Sequence, residues 1–132
     1  MELELTTPEG YRFHVYGETP NWESYRALND PAWKPTYSRW RHGGSYVDNL
    51  YYPSGAVGCI ASARYTHDGL FHLACDPRPV DQRVGYRTRE EAAYAEREMV
   101  LCMWRMLDTT GENLYAVPTD KDGSKNEQGR VS

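Results

Sequence analysis

The sequence predicts an α+β fold, an antiparallel sheet built of hairpins with one long C-terminal helix across one face. Two observations predict it. Pro8-Glu9-Gly10, Pro53-Ser54-Gly55 and His67-Asp68-Gly69 each separate two alternating, β-prone stretches. Later, Arg89 to Asp108 runs without Gly or Pro behind a helix-start signature. A three-residue hairpin loop is a type I turn followed by a left-handed residue, where Gly is least strained. Pro in the first loop position presets φ for that turn.

The first loop sets Leu3 opposite Val15, Leu5 opposite Phe13 and Thr7 opposite Tyr11 on an apolar face. Glu4 opposite His14 and Thr6 opposite Arg12 form a solvated one. Asn21 caps a short helix that reaches Leu28, with Trp22, Tyr25 and Leu28 on one side. Residues 31–44 read as a connector. The second and third loops join three strands into a meander from about Ser45 to Cys75. Uninterrupted pairing puts Tyr52 opposite Ala56, Leu50 opposite Gly58 and Asp48 opposite Ile60. It also puts Tyr65 opposite Phe71, Ala63 opposite Leu73 and Ala61 opposite Cys75. On that register Val47, Tyr51, Val57, Cys59, Ala61, Ala63, Tyr65, Phe71, Leu73 and Cys75 meet the helix. Tyr46, Asp48, Leu50, Tyr52, Ile60, Arg64 and His72 project from the opposite face.

Residues 76–87 read as a second connector. Thr88 with Glu91 forms a capping box, and Ala92, Ala95, Met99, Cys102, Met103 and Met106 form a helical stripe. The helix, roughly 30 Å long, is expected to stop at Thr109-Thr110-Gly111, with a short strand at 113–117. Residues 1–117 thus make a single domain. Residues 118–132 have almost nothing to bury and read as a flexible C-terminal tail.

The net charge of −4 is unevenly laid out. Residues 1–30 carry six acids against two bases, 31–107 carry ten bases against eight acids, and 108–132 five acids against three bases. A mildly basic middle between acidic ends is not the footprint of a dedicated DNA binder. Three cysteines, Cys59, Cys75 and Cys102, without CxxC spacing argue against a disulfide framework. No leader segment and no apolar run of bilayer length is read, so the expectation is a cytoplasmic protein that does not enter the membrane.

No pattern here implies a cofactor or a metal. His72 and Cys75, three apart on a strand, point to opposite faces, and no His joins Cys59. Ser45, His42 and Asp48, with His72 and Asp76 across the sheet, lack the strand–turn–helix elbow of a nucleophile, so no catalytic residue is assigned. Arg41-His42-Gly43-Gly44-Ser45 precedes a strand rather than a helix, so its glycines read as a strand entry. Trp33, Tyr37, Arg39, Trp40 and Arg41 interleave aromatics with bases, a mixture suited to a protein hot spot or to stacking on single-stranded nucleic acid. Together with the face of Tyr46, Asp48, Tyr52, Arg64 and His72 they form the expected partner-binding surface. The long helix is apolar nearly all round after Met99. Tyr94, Leu101 and Trp104 lie off the sheet-facing stripe, to be covered by the N-terminal hairpin or by a homodimer partner.

The stretch YYPSGAVGCIASARYTHDGLFHLACDPRP, residues 51–79, followed by YRTREEAAYAERE, residues 86–98, resembles small uncharacterised proteins of actinobacteria and their phages. That resemblance implies no activity and no site residues. Three strands before a helix opening Thr88-Arg89-Glu90-Glu91-Ala92-Ala93 also resemble the arm-binding domains of tyrosine integrases and AP2-type DNA readers. Those read DNA with the face opposite the helix, which here offers Arg64 alone, with Asp48 against it.

The leading expectation is an accessory binding protein of phage or mobile-element type that docks on and modulates a host protein. The alternative is a nucleic-acid-binding module using Arg39, Arg41, Arg64, Arg78, Arg83 and Arg87, and a small enzyme comes third. Because residues after Pro118 have little to bury, a chain ended at Val117 is expected to keep its melting temperature within about 4 °C, the shift that ~1 kcal/mol produces in a domain of this size. A larger fall in a thermal melt would show that the tail docks.

Overall fold

The computed structural model describes residues 2–16 and 21–114, with side chains as far as Asp108. The expected tail, residues 118–132, and the domain boundary at Val117 lie outside the described residues.

Strands β1 (Leu3–Thr6) and β2 (Arg12–Val15) form the first hairpin. Its register is the expected one: Leu3 with Val15, Glu4 with His14, Leu5 with Phe13, Thr6 with Arg12. Gly10 occupies the left-handed region at φ 94°. This hairpin is a separate two-stranded sheet and does not extend the main one. Phe13 and Val15 are buried, while Thr6, Thr7 and Glu9 border a cleft against Cys102, Arg105 and Met106 of the long helix.

Helix α1 (Trp22–Leu28) starts at Asn21, whose side chain accepts from Glu23 N and Ser24 N, and it ends at Asn29. The main sheet has four strands in the order β3 (Tyr37–Arg39), β4 (Ser45–Tyr51), β5 (Val57–Ala61) and β6 (His72–Leu73). The 31–44 connector therefore contributes an edge strand.

The meander exists, but two displacements break its expected register. Tyr52 N donates to Ala56 O, Gly55 N to Tyr52 O, and Tyr51 pairs with Val57, as a three-residue loop requires. Val47, however, pairs with Gly58 and Ser45 with Ile60. Asp48, Asn49 and Leu50 have no opposite residues on β5. Their polar groups turn instead to the preceding connector. Asp48 N donates to Thr36 O at 2.8 Å, and Asn49 Nδ2 donates to Lys34 O at 2.7 Å. Asn49 Oδ1 accepts from Thr36 N at 3.2 Å, and Asn49 O accepts from Trp33 Nε1 at 3.1 Å.

The second displacement follows Ala61. Ile60 pairs with Leu73 and Ala61 with His72, so the expected pairs Ala63–Leu73 and Ala61–Cys75 do not form. Residues 62–71 leave the ladder through a 3₁₀ turn at Ala63–Tyr65, capped by Ser62. Thr66 Oγ1 donates to Leu70 O at 2.6 Å, and Asp68 Oδ1 accepts from Leu70 N. These local side-chain bonds replace ladder bonds. Phe71 then bridges to Tyr86.

An odd displacement in a strand exchanges its faces. Leu50, Tyr52 and Ile60, expected on the outer face, are buried and face the helix together with Val47 and Leu73. Tyr65, expected in the core, is 65% exposed.

Helix α2 (Arg89–Leu114) crosses this face. Thr88 Oγ1 accepts from Glu91 N, and Glu91 reaches back to Arg87 N. The helix passes through Gly111 to Leu114, so it does not stop at Gly111 and Asn113 and Leu114 are helical, while residues 115–117 of the expected strand lie outside the described residues. Ala92, Met99 and Met103 of the expected stripe are buried, and so are Ala93, Val100, Leu101, Trp104 and Leu107. This second face is covered from within the chain. Trp104 stacks on Tyr25 at 5.6 Å and 13°, lies 5.6 Å from Trp22, and donates from Nε1 to Tyr51 O. Leu101 and Trp104 are thus core residues and not an oligomer surface. No described helix is long and apolar enough to cross a membrane.

Trp104 joins α1, α2 and β4, so Trp104→Ala is expected to cost about 3–5 kcal/mol, the range for deleting a large buried aromatic. Urea unfolding measures it, and a loss under about 1 kcal/mol would contradict this packing.

Candidate functional site

The expected partner-binding residues divide into three groups. The first is internal. Trp33 is buried, with Tyr94 edge-on at 5.5 Å and the Arg97 guanidinium over its ring at 5.2 Å. Tyr94 is half-buried, and its hydroxyl donates to Trp33 O. Arg97 donates to Leu28 O and Asp30 O, tying the end of α1 to α2. Trp33 and Tyr94 therefore pin the connector. Tyr52 is only 9% exposed, and its hydroxyl donates to Glu96 Oε2 at 2.6 Å.

Glu96, missed from sequence, is fully buried on α2. Its Oε2 also accepts from Cys59 N at 3.4 Å, and among the described residues its Oε1 has no hydrogen-bond partner. Gly58 makes room for it, since a Cβ there would lie 2.9 Å from Oε1. Burial pushes the Glu96 carboxyl up to about 7 against the lowering effect of the Tyr52 and Cys59 hydrogen bonds, with the Asp76 carboxylate adding to the rise. The sequence held the signal: Glu96 lies four residues after Ala92 and three before Met99, within the apolar stripe.

The second group is His72 and its surroundings. His72 Nε2 lies 2.9 Å from both Asp68 carboxylate oxygens. His67 Nε2 lies 3.8 Å from Asp68 Oδ2. The hydrogen bond from His72 holds the Asp68 carboxyl below its ordinary range. Among the described residues this is where three metal-ligating side chains converge within 4.8 Å.

The third group forms a solvent-facing surface. Arg39, Arg41 and Arg64 are exposed, and Trp40 and Tyr46 are half-buried. Arg41 lies over the Trp40 ring at 5.0 Å, and Trp40 meets Tyr46 at 6.2 Å. Arg64 lies over Tyr65 at 5.7 Å, and Tyr65 meets His42 edge-on at 6.1 Å. A tight turn joins the two halves. His42 and Gly43 take φ 56° and 78° in succession, and a Cβ at Gly43 would meet Ser62 Oγ at 3.4 Å. A non-glycine residue held left-handed costs on the order of 1 kcal/mol, and here it carries an imidazole onto Tyr65. Gly44 is close-packed, with Trp40 and Ile60 O within 2.8 Å of its would-be Cβ. Asp48 sits at the margin and accepts from Ser38 Oγ at 2.6 Å. Tyr37 is 39% exposed on the helix side of the edge strand, with Arg89 near its ring.

Among the described residues, no carboxylate forms an ion pair with Arg39, Arg41 or Arg64. Arg78 and Arg83 differ. Arg78 grips Asp76 through Nε and Nη2, and Arg83 donates to Arg78 O. Burial alone would raise the Asp76 carboxyl, but the Arg78 hydrogen bonds outweigh it and hold it low. Arg87 is exposed.

Comparison with protein-family models, with curated proteins and with solved structures finds no match.

Between about pH 4.5 and 7 folded Glu96 keeps a proton that the unfolded chain has released. Stability contributed by this group is present below that window and lost as pH rises through it. Wild type is therefore expected to lose about 2–3 kcal/mol more than Glu96→Gln between pH 5 and 8, from the shift at ~1.36 kcal/mol per pH unit. Parallel pH profiles in urea unfolding would contradict this.

Proposed function

We propose that the chain is a small accessory binding protein that docks on a protein partner through the surface of Arg39, Trp40, Arg41, His42, Tyr46, Arg64 and Tyr65. One observation carries the reading: exposed guanidinium groups with no carboxylate partner among the described residues are interleaved with aromatic rings on a backbone fixed by two 3₁₀ turns. Trp, Tyr and Arg dominate interface hot spots. Fixed rings and guanidinium groups lose little freedom on binding. The partner's matching surface is acidic, because exposed guanidinium groups gain most from carboxylates. The role is binding, and no catalytic step is assigned. Resemblance of residues 51–79 and 86–98 to small actinobacterial and phage proteins supports an accessory, mobile-element setting with a host protein as target.

The same residues support single-stranded nucleic acid as the alternative, because guanidinium–aromatic pairs also stack on bases. The net charge of −4 weighs against it, since a nucleic-acid backbone is followed by an extended basic stripe and here the bases form a local patch on an acidic chain.

Affinity capture from an actinobacterial lysate tests both readings. The tagged chain is expected to retain a protein through nuclease treatment, and Arg41→Ala with Arg64→Ala is expected to lose it, at a cost above roughly 2 kcal/mol for two hot-spot arginines. Retention equal to wild type by the folded double variant would overturn the assignment of this surface. Release by nuclease would favour nucleic acid.

A further inference from the structure

We propose that His67, Asp68 and His72 form a binding site for a first-row divalent transition metal, Zn²⁺ above all, with one coordination position open to solvent. The geometry comes first. A tetrahedral ion with bonds of about 2.0–2.1 Å places neighbouring ligand atoms roughly 3.3 Å apart. Here His72 Nε2 lies 2.9 Å from the Asp68 carboxylate and His67 Nε2 lies 3.8 Å from it, which brackets that spacing. All three donor atoms fall within 4.8 Å of one another, and the imidazole centroids are 5.3 Å apart. Seating an ion asks the two imidazole nitrogens, which lie within 4.8 Å of each other, to close by at most about 1.5 Å, a movement open to the 84% exposed His67 side chain.

The donor set selects the metal. Two imidazole nitrogens and one carboxylate suit zinc and its first-row neighbours, whereas calcium and magnesium take oxygen ligands. Three protein ligands with a free fourth position are the composition of open zinc sites. The opening follows from exposure: the side chains of His67, Asp68 and His72 are 84%, 32% and 16% exposed. His67 can therefore close on an ion from the solvent side while His72 stays fixed beneath.

The surrounding residues hold the inner two ligands. Asp68 Oδ1 accepts from Leu70 N at 3.0 Å. Thr66 Oγ1 donates to Leu70 O at 2.6 Å, closing the loop on itself, and lies 3.3 Å from Asp68 Oδ1. Gly69 takes φ 72°. Behind the site, a Cβ on Gly85 would stand 2.8 Å from His72 Nε2 and 2.6 Å from Leu70 Cβ. Backing of this kind orients metal ligands.

Titration calorimetry of the intact chain with ZnCl₂, and visible spectroscopy with Co²⁺, test the site. One equivalent is expected. Asp68→Ala and His72→Ala are each expected to weaken it at least ~100-fold, since loss of a ligand exceeds the 10–100-fold cost of losing its outer support. His72 also packs inside the loop, so His67→Ala supplies the control: this exposed side chain can go without changing the thermal melt, and affinity is still expected to fall. Cys75→Ser is expected to leave binding unchanged, although Cys75 is an exposed free thiol. Absence of saturable binding would overturn the proposal. So would binding that survives both His67→Ala and His72→Ala, or a thiolate–cobalt band that vanishes with Cys75→Ser.

Discussion

Asn49 spends its amide on a segment well before it in the chain, donating to Lys34 O and accepting from Thr36 N. With Trp33 Nε1 on its carbonyl, these bonds pair connector backbone at Lys34 and Thr36 and β4 backbone at Asn49, outside the β4–β5 ladder. Buried or half-buried backbone groups must be paired, and here the connector pairs them. Three residues of β4 can therefore stand outside the ladder, and that odd number decides which face of the sheet is buried. Leu50 and Tyr52 enter the core because of it, and Glu96 finds a hydroxyl above the gap left by Gly58. Trp33 is held in turn by Tyr94 and Arg97, so α2 anchors the segment that sets the register.

The second displacement is of the same size: Ala61 meets His72, three residues before the expected Cys75. Where β5 leaves the ladder after Ala61, Ser62, Thr66 and Asp68 bond locally and lift residues 62–71 out of the sheet. Tyr65 and Arg64 are delivered to solvent beside the His42 turn, and Asp68 is folded back over His72. One irregular loop thus supplies Arg64 and Tyr65 of the arginine and aromatic surface, and it sets His67 and Asp68 of the proposed metal site beside His72 of β6. Polar residues in a strand-like run served here to end the strand.

Much of this fold was legible in the sequence. Turn chemistry located the first hairpin to the residue, Asn21 and Thr88 marked both helix starts, and Pro53-Ser54-Gly55 marked its loop. What failed was the assumption that alternation continues without interruption between correct loops. No local propensity records that Asn49 will bond to Lys34, because that contact exists only once the connector lies beside β4. The error then propagated, since a displaced strand exchanges its faces: Tyr52 left the expected surface, while Tyr46 and Asp48 stayed on the outer side. Arg39, Trp40 and Arg41 were legible as an aromatic and basic run, but the partnership of His42 with Tyr65 was not. Leu101 and Trp104 were rightly seen as a second apolar face, and Trp22 and Tyr25 of α1 cover Trp104.

β4 and β5 pair with three residues displaced, so that the face of Leu50, Tyr52 and Ile60 meets α2. Cross-strand proton contacts in an isotope-edited NOESY spectrum test it most directly, because opposed residues in antiparallel strands bring backbone protons close. The account predicts contacts between Val47 and Gly58, Tyr46 and Cys59, and Ile60 and Leu73, with Tyr51 opposite Val57. Contacts of Asp48 with Ile60 and of Ala63 with Leu73 would instead show an unbroken ladder, return Tyr52 to the outer face, and contradict it.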